Sequence, residues 1–340
     1  MKKVLTSTIV LIILTSAIFA QTNRRNHRSK PAQIAIDQVH THDPVMAKEG
    51  DTYYLFSTGF GVSVMSSKDM RTWKFEKPIF EEAPVWATQL IPTYRGHTWA
   101  PDVIYHNGLW YVYYSCSAFG KNTSAIGVAT NPTLNPDNPD YKWTDHGKVI
   151  QSVPNRDMWN AIDPNIIIDE EGTPWMNFGS FWDGIKMVRL TTDMKSIAQP
   201  EEWISLCRRE RTFNLDDTNP GNGAVEAPFI MKHKDYYYLF VSFDYCCRGK
   251  DSTYKVVVGR SKTVKGPYLD KEGNRMDKGG GSIVIEGTDG WAGIGHNSAY
   301  HFDGKDYFIC HAYSLAEGGA SKLFIREMQW DEEDWPIVNW

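Results

Sequence analysis

The sequence contains few runs with the periodicity of an amphipathic helix, and this scarcity argues against a mainly helical fold. It also lacks a Gly-x-Ser-x-Gly elbow, a phosphate-binding glycine loop, a His-Glu-x-x-His helix and a dinucleotide fingerprint. The chemistries that those four motifs carry therefore have no support. After residue 20, no apolar stretch is long enough to cross a bilayer, so we expect no membrane-spanning segment in the mature protein.

Cysteine is sparse as well. The five cysteines are Cys116, Cys207, Cys246, Cys247 and Cys310. Their odd number excludes a fully paired framework within the chain, and no spacing matches a zinc site. The adjacent Cys246 and Cys247 could form a vicinal disulfide, but two separate thiols on opposite faces of a strand are the expectation.

Basic residues are fewer than acidic ones, and the difference grows when residues 1–20 are left out. Residues 1–20 place two lysines ahead of an apolar run that closes in small residues, the layout of a cleaved secretory signal peptide. The polar, basic segment 21–33 predicts a disordered leader ahead of a single domain, 34–340. Without Lys2 and Lys3, 34 of the 36 basic residues remain against 41 acidic ones. This net charge of about −7 argues against nucleic-acid and acidic-membrane partners and favours a neutral substrate. The signal-peptide layout predicts export, and a monomer is the default expectation.

Short runs rich in Tyr, Trp, Phe, Val and Ile are abundant, and five of them align as a repeat. Each unit has an apolar strand, a turn and a second, aromatic strand, which together make one hairpin. The units are HDPVMAKEGDTYYLFST from 42, WAPDVIYHNGLWYVYYS from 99, IDPNIIIDEEGTPWMNFGS from 162, EAPFIMKHKDYYYLFVS from 226 and HNSAYHFDGKDYFICHAY from 296.

The spacing of the repeat predicts the fold. The aligned positions Pro44, Pro101, Pro164, Pro228 and Ser298 are 57, 63, 64 and 70 residues apart. Between the hairpins lie further candidate strands, at 61–75, 124–131, 184–194 and 255–268. Each unit therefore has room for the four antiparallel strands of a propeller blade, and five units predict a five-bladed β-propeller. A β-sandwich or a jelly roll would not produce this repeat.

The first strand of each blade should line the propeller axis, so the residues at its head should converge at one mouth of the axis. These heads are His42/Asp43, Trp99/Ala100, Ile162/Asp163, Glu226/Ala227 and His296/Asn297. Three of them bring a carboxylate. Clustered like charges either bind a cation or shift their pKa values for catalysis. Because the other two heads bring Trp99 and His296 rather than more oxygen ligands, catalysis is favoured over a metal site.

Aromatic residues make up 13% of the chain, and several adjoin the predicted mouth. Most should fill the space between blades. Trp99, Phe119 or Trp182 could instead stack against the C–H face of a sugar, which would suit a neutral substrate.

The motifs HDPV, HTWAPDV, NAIDPNI, GAVEAPF, DYCCRG and GIGHNS, in this order and spacing, resemble glycoside hydrolase family 43. Within that family they are similar to the arabinanases, which cut α-1,5-linked L-arabinan. The resemblance covers residues 37–340 and implies a five-bladed propeller with an inverting mechanism. It implies that Asp43 is the general base, that Glu226 is the general acid, and that Asp163 orients Glu226 and raises its pKa.

The resemblance also implies a metal ion. The histidine of the matching GHNS motif, His296 here, helps to hold calcium near the axis, mostly through water. The ion would support the site electrostatically or structurally rather than activate the nucleophile. Beside the matched motifs, His42, Asn160 and Ser180 are candidates for hydrogen bonds to sugar hydroxyls, together with Trp99 and Phe119 as stacking residues.

Two alternatives remain open. An exo-acting α-L-arabinofuranosidase or β-xylosidase of the same family often carries an added β-sandwich domain, whereas this chain ends at WPIVNW soon after the fifth unit. Internal cleavage of arabinan in an open groove is therefore the expectation. A non-catalytic sugar-binding propeller would predict the loss of at least one acid, yet Asp43, Asp163 and Glu226 are all present.

Overall fold

The strands form five antiparallel sheets, which are the blades of a β-propeller, so the predicted fold is confirmed. The structure is a computed structural model that describes residues 32–212 and 218–340. The predicted signal peptide, 1–20, and the leader up to residue 31 lie outside the described residues, and the first strand begins at Gln33. In the described part of the chain, no helix is long and apolar enough to span a membrane.

The strands of the first two blades are joined by connections of uneven length, the longest being 76–96 between the two blades. In chain order they are β1 Gln33–Ala35, β2 Val45–Glu49, β3 Thr52–Ser57, β4 Gly59–Phe60, β5 Ser63–Ser67, β6 Thr72–Phe75, β7 His97–His106, β8 Leu109–Cys116, β9 Ser124–Asn131 and β10 Thr144–Ser152. The sheet of the second blade also includes β4, which pairs with the start of β7. The one α-helix of the described residues, α1 Val85–Leu90, precedes β7.

The other three blades each have four strands. They are β11 Asn165–Ile168, β12 Pro174–Phe178, β13 Ile185–Arg189 and β14 Trp203–Cys207; β15 Val225–His233, β16 Tyr236–Phe243, β17 Lys255–Ser261 and β18 Ser282–Ile285; and β19 Trp291–Phe302, β20 Lys305–Ser314, β21 Ala320–Trp330 and β22 Pro336–Ile337. Short 3-10 helices span Ile36–Gln38, Gly249–Asp251 and Met276–Lys278.

The hydrophobic core is divided among the five interfaces between consecutive blades. The second strands β8 and β16 are buried along nearly their whole length because a neighbouring blade covers each face. This explains why they read as continuous aromatic and aliphatic runs rather than alternating ones. Val39, Met46 and Trp73 of the first blade pack with Ile309 and Leu323 of the fifth.

The fifth and first blades close the propeller without sharing a sheet. Strand β1 pairs with β6 in the first blade, and β22 pairs with β21 in the fifth. The seam is instead held by hydrogen bonds, from the Leu323 N–H to the Val39 carbonyl and from Ser298 Oγ to the Pro44 carbonyl.

The head of each inner strand holds one residue in the left-handed conformation. The φ angles are 54° at Asp43, 39° at Ala100, 57° at Asp163, 56° at Ala227 and 48° at His296. In four blades this residue precedes the repeated proline. In the fifth blade Asn297, not Ser298, takes the place of that proline, so the alignment of this blade was wrong by one residue. The register slips by one between Gly295 and Ser298, a bulge that also occurs between Trp99 and Asp102 and between Glu226 and Phe229; the fifth blade differs in lacking the proline.

Each of these five residues is hydrogen-bonded to the preceding blade. We call the five residues, together with these hydrogen bonds, the blade-head ring. Each N–H donates to a side chain of the preceding blade: Asp43 to His311 Nδ1 at 3.2 Å, Ala100 to Thr58 Oγ1 at 2.9 Å, Asp163 to Ser115 Oγ at 3.1 Å, Ala227 to Asp163 Oδ2 at 3.1 Å and His296 to Ser242 Oγ at 2.8 Å. The ring satisfies N–H groups that the left-handed turn removes from the strand ladder. It also crosses the seam between the fifth and first blades.

The acceptor stands at the end of the second strand in four blades. In the third blade Gly179 holds that place, since its N–H bonds the Ile162 carbonyl as the Thr58 N–H bonds that of His42. Glycine has no side chain to offer. Asp163 supplies the acceptor instead, and this gives the predicted third acid a structural role.

We predict that Ser115→Ala destabilises the protein, because it leaves the buried N–H of Asp163 without an acceptor. The expected loss in the free energy of unfolding is about 1–3 kcal/mol, measured as a lower urea midpoint with an unchanged slope. Ser57→Ala removes a buried hydroxyl outside the ring and should change stability by less than about 0.5 kcal/mol. Equal effects of the two substitutions would contradict a stabilising ring.

Candidate active site

The blade-head ring brings the three predicted acids to one mouth of the propeller axis. Asp43 and Asp163 are members of the ring, and Glu226 directly precedes the member Ala227. Asp163 is 5% exposed, Glu226 9%, and the side chain of Asp43 17%. The charges of Asp43 and Glu226 both act on the pKa of Asp163, so the three carboxyl groups lie within electrostatic reach of one another.

Asp43 is held as a carboxylate. Its Oδ1 lies 3.0 Å from Nδ1 of His296, and its Oδ2 accepts a hydrogen bond from Thr58 Oγ1. Burial alone would raise the pKa of Asp43, but the charge and the hydrogen bond of His296 outweigh it and hold that pKa well below its usual range. An ionised and oriented carboxylate can accept a proton from water.

Glu226 sits in the opposite electrostatic situation. Burial raises the pKa of Glu226, and hydrogen bonds from Ser180 and Tyr254 oppose the rise. Ser180 Oγ donates to Oε2 at 2.6 Å, and Tyr254 Oη donates to Oε1 at 2.6 Å. A carboxyl group with a raised pKa stays protonated to higher pH and can donate its proton to a leaving group.

Asp163 supports Glu226 through the backbone. Its Oδ2 accepts the N–H of Ala227, the residue after Glu226, and this bond fixes the start of β15. Burial raises the pKa of Asp163 to about 8; His296 opposes the rise, and the charges of Glu226 and Asp43 add to it. Asp163 can therefore orient Glu226. Because two buried carboxyl groups this close resist being ionised together, the negative charge of either one raises the pKa of the other.

The imidazole of His296 is the positive centre of the site. Burial lowers its pKa, but the charges of Asp43 and Asp163 raise it more, to about 9. His296 therefore compensates carboxylates from two other blades. The ring bond from its N–H to Ser242 Oγ holds the left-handed turn that presents the imidazole to them.

Because His296 is an imidazolium paired with Asp43, it could not ligate a cation directly, and an ion beside it would have to be held through water and neighbouring oxygens. The neighbouring Asn297 is buried, and neither its side-chain oxygen nor its nitrogen has a hydrogen-bond partner among the described residues. Buried polar atoms of this kind normally bind water or an ion. The protein offers few oxygen ligands here, so calcium, which takes about six to eight oxygens, would draw most of them from water.

His42, Asp43 and His311 form a second cluster, with ligand atoms within 4.8 Å of one another. The Nδ1 atom of His311 is already occupied by the N–H of Asp43. Burial, reinforced by the charge of His42, lowers the pKa of His311 well below its usual value, so this imidazole is neutral. The ring of His42 lies 4.4 Å from that of His311. Hydrogen bonding and ring packing explain this cluster without a metal.

The predicted stacking residues occupy different environments. Trp99 is half-buried at the head of β7, and its Nε1 donates to His97 Nδ1 at 2.9 Å. Phe119, in the loop after β8, is 81% exposed and offers a free ring face. Trp182 is only 2% exposed, so the expectation that it could stack on a sugar was wrong.

The predicted hydrogen-bonding residues also differ. Asn160 is 4% exposed, and its Oδ1 has no partner among the described residues. His42 is partly exposed and packs edge-on against Tyr313, with the ring centroids 5.5 Å apart. The hydroxyl of Ser180 is directed to Glu226, so in this structure it serves the acid rather than a sugar.

Cys246 and Cys247 are joined by a disulfide, so the expectation of two separate thiols was wrong. The sequence interpretation placed both cysteines on a strand, where they would point to opposite faces. Strand β16 ends at Phe243, before they begin, and Cys247 adopts φ 65°, so the chain turns back on itself. Cys116, Cys207 and Cys310 are free and buried.

A propeller that holds one ionised and one protonatable carboxyl at the same mouth, beside an exposed aromatic face, defines an acid–base hydrolase of glycosides. Residues 33–336 match the family described as Glycosyl hydrolases family 43. The chain belongs to this family, as its motifs predicted.

Relatives and solved structures agree with this assignment. An extracellular exo-α-(1→5)-L-arabinofuranosidase of Cellvibrio japonicus is 56% identical over 89% of this chain and 87% of its own length. An extracellular endo-α-(1→5)-L-arabinanase of Bacillus subtilis is 40% identical over 87% of this chain and 86% of its own. The structure of a Cellvibrio cellulosa α-L-arabinanase complexed with arabinohexaose superimposes with a TM-score of 0.88, at 55% identity, over 89% of this chain and 96% of that one.

Sequence reasoning missed the residues that support the acids from outside the strand heads. Thr58, Ser115 and Ser242 could have been found, because second strands of the repeat end in a hydroxyl residue. Tyr254 gave no such signal, since it ends the loop 244–254, which is longer than the corresponding loops of the other units and does not align with them.

We predict that Tyr254→Phe moves the alkaline limb of the pH profile of kcat/KM to higher pH. The lost hydrogen bond stabilises the ionised form of Glu226, so its removal raises the pKa of the acid further. Activity that depends on protonated Glu226 would then persist to higher pH, although kcat should fall because the acid is less well oriented.

Tyr268→Phe is the matched control. Tyr268 is equally buried in the same blade, but its hydroxyl donates to the Val264 carbonyl. Its substitution should leave the alkaline limb in place. A shift to lower pH in Tyr254→Phe, or the same shift in both variants, would refute the role of this hydrogen bond.

Proposed function

We propose that this protein hydrolyses the α-1,5-L-arabinofuranosidic bonds of arabinan with inversion. The observation that carries the proposal is the contrast between Asp43, held ionised by His296, and Glu226, whose pKa is raised by burial. The substrate class is supported by the printed functions of the relatives and by the arabinohexaose complex of a structure 55% identical to this chain.

Each of the three acids has one task in this mechanism. Asp43 takes a proton from the water that attacks the anomeric carbon. Glu226 gives its proton to the leaving oxygen, and Asp163 orients Glu226 through the Ala227 N–H. An inverting site needs room for this water, so we expect the base and the acid to stand about 6.5–9.5 Å apart.

The substrate-binding set extends from the acids to the rim. Phe119 and Trp99 would stack on arabinofuranose rings, while Asn160 and His42 would hydrogen-bond their hydroxyls. Asn160 Oδ1 lacks a partner among the described residues but is buried, so a hydrogen bond to a sugar would require its side chain or its cover to move. Bound sugar would also shield the acids from water and strengthen their electrostatic contrast.

The printed functions of the relatives divide over where the polymer is cut. We propose that this chain releases short products from a chain end, because its exo-acting relative is 56% identical and its endo-acting relative 40%. Internal cleavage, which the sequence predicted, is the second candidate, and the endo-acting relative favours it.

We also propose that calcium binds beside His296 and that the protein acts outside the cytoplasm as a monomer. When bound, the ion would supply positive charge near the carboxylates. His296 and the unpartnered Asn297 would hold it, chiefly through water. Export is supported by the signal-like segment 1–20 and by relatives that are described as extracellular.

Product analysis on linear α-1,5-arabinan tests the function. We predict that the wild type releases short arabino-oligosaccharides and that Glu226→Ala loses at least about 100-fold in kcat, because general acid catalysis supplies about 10²–10⁴-fold. One short product at early times would support the exo mode, whereas a ladder would support internal cleavage. Glu81→Ala, at an exposed carboxylate paired with Lys77, is the control and should keep full activity.

Failure of the wild type on arabinan, together with cleavage of aryl xylosides, would move the protein to the β-xylosidase alternative. If no glycoside were hydrolysed while sugar binding was retained, the proposal that the protein is a hydrolase would be refuted. Proton NMR of the newly formed anomer reports inversion independently of chain length.

We predict that calcium raises the melting temperature of the wild type and that EGTA reverses the rise, because an ion that binds only the folded state stabilises it by about 2.7 kcal/mol at 100 times its Kd. His296→Ala should abolish the response. His301→Ala, at an exposed histidine of β19, should retain it. An unchanged response in His296→Ala, or no bound calcium in the wild type by elemental analysis, would rule out this site.

A further inference from the structure

The loop 244–254 lies at the mouth that holds the acids. It joins the end of β16 to the start of β17, on the same side of the propeller as the heads of β15 and β19. The loop is closed on itself, since the Cys246–Cys247 disulfide is followed by hydrogen bonds from the Arg248 N–H to Ser252 Oγ and from the Thr253 N–H to the Tyr245 carbonyl. Nothing in the proposed mechanism uses this closure.

A chain of hydrogen bonds leads from the disulfide to Asp43. The N–H of Cys247 donates to Tyr313 Oη at 2.8 Å. The same oxygen lies 3.3 Å from Nε2 of His311. The Nδ1 of His311 accepts the N–H of Asp43 at 3.2 Å. Since Nδ1 is an acceptor, the imidazole proton must be on Nε2, and it is donated to Tyr313.

We propose that the Cys246–Cys247 disulfide and Tyr313 are positioning elements for the general base, acting through His311 on the backbone of Asp43. The inference rests on the proposed function, because it takes Asp43 to be the base. Tyr313 fixes which nitrogen of His311 carries the proton, and the disulfide holds the Cys247 N–H that fixes Tyr313.

The tautomer matters because an imidazole nitrogen, unlike the hydroxyl oxygens that accept elsewhere in the ring, cannot accept one hydrogen bond while it donates another. Both His311 and Tyr313 are almost completely buried, at 0% and 2% exposure. Without the Tyr313 oxygen, a proton on Nε2 would have no partner in the chain described above. If the proton moved to Nδ1, it would face the N–H of Asp43. Because two donors would then be in contact, the left-handed turn at the base would be displaced.

The disulfide is the element of this chain that solvent can reach. Cys247 is exposed, and it keeps a φ of 65°, a conformation uncommon for residues other than glycine. The bond to Cys246 restricts this turn. An external dithiol can break it, giving two electrons and two protons to the two sulfurs and becoming a disulfide itself, while the protein gains two thiols.

The same loop also ends at Tyr254, whose hydroxyl holds Glu226. A displaced loop could therefore act on the acid rather than on the base. The two cases differ chemically, because a misplaced acid matters little when the leaving group departs without a proton, whereas a misplaced base matters for every leaving group. The ratio of rates on good and poor leaving groups separates them.

The first experiment compares the wild type before and after treatment with dithiothreitol. Iodoacetamide followed by intact mass should add two groups only after reduction, since the other cysteines of the described chain are buried. We expect kcat to fall about 10-fold or more with KM changed less than about 3-fold, because small displacements of a catalytic group cost rate rather than binding. The fall should be equal for a nitrophenyl arabino-oligosaccharide and for the unsubstituted oligosaccharide.

The second experiment joins reduction with Tyr313→Phe. This variant removes the oxygen that both donors share, so it should reproduce the loss of kcat, and reduction of the variant should then change kcat by less than about 2-fold, because coupled elements are not additive. Tyr307→Phe, at the other end of β20, is the matched control and should respond to reduction like the wild type. Circular dichroism and the melting temperature confirm that each form is folded.

Three outcomes would overturn the inference while leaving the proposed function intact. The first is an unchanged kcat in the fully reduced, folded wild type. The second is a kcat of Tyr313→Phe that falls on reduction as much as that of the wild type. The third is a fall in kcat only on the substrate with the poor leaving group, which would assign the effect of the loop to Glu226. Alkylation of two cysteines without reductant would overturn it as well. Absence of glycosidase activity in the untreated wild type would instead be a failure of the proposed function.

Discussion

The blade-head ring is the constraint on which the site depends. A residue in the left-handed conformation at each strand head turns its N–H away from the ladder, and a buried N–H without a partner costs about 1–3 kcal/mol. The preceding blade supplies the acceptor in every case, so the five blades cannot rotate independently without losing these bonds. Because Asp43, Asp163 and His296 are themselves members, the bonds that close the propeller also set the positions of charged groups at its mouth.

The ring also explains how three carboxyl groups can be buried together. Desolvation raises the pKa of each, and the cluster would be neutral at physiological pH without a compensating cation. His296 supplies that charge next to Asp43, at 3.0 Å, and so selects which acid ionises. Glu226 lies in the blade that precedes that of His296; the charge of His296 lowers its pKa less than burial raises it, and its two hydrogen-bond donors are neutral hydroxyls. One cation placed asymmetrically is enough to separate a base from an acid among chemically similar groups.

Much of this arrangement could be predicted from the sequence, because the period of the repeat fixes both the number of blades and the phase of the strand heads. Asp43, Asp163 and Glu226 follow from that phase. The fifth blade was misaligned by one residue because Asn297 stands where the other units have the proline that anchors the alignment; the bulge at this strand head also occurs in the second and fourth blades. Tyr254 and Tyr313 could not be found, because Tyr254 reaches Glu226 from a loop of the same blade, and Tyr313 contacts Cys247 of the neighbouring blade.

Asp163 shows how structure and chemistry become inseparable at such a site. In the other blades a hydroxyl or an imidazole accepts the ring hydrogen bond, and Gly179 leaves the third blade without one. The carboxylate that fills this gap must lie beside the residue after Glu226, because that is where the unpaired N–H is. Its carboxyl group is therefore brought near the acid by the requirement to satisfy a backbone group, and burial there, with the charges of Glu226 and Asp43, raises the pKa of Asp163. A fold that needs an acceptor at that point, and offers an aspartate, produces the neighbour that a general acid requires.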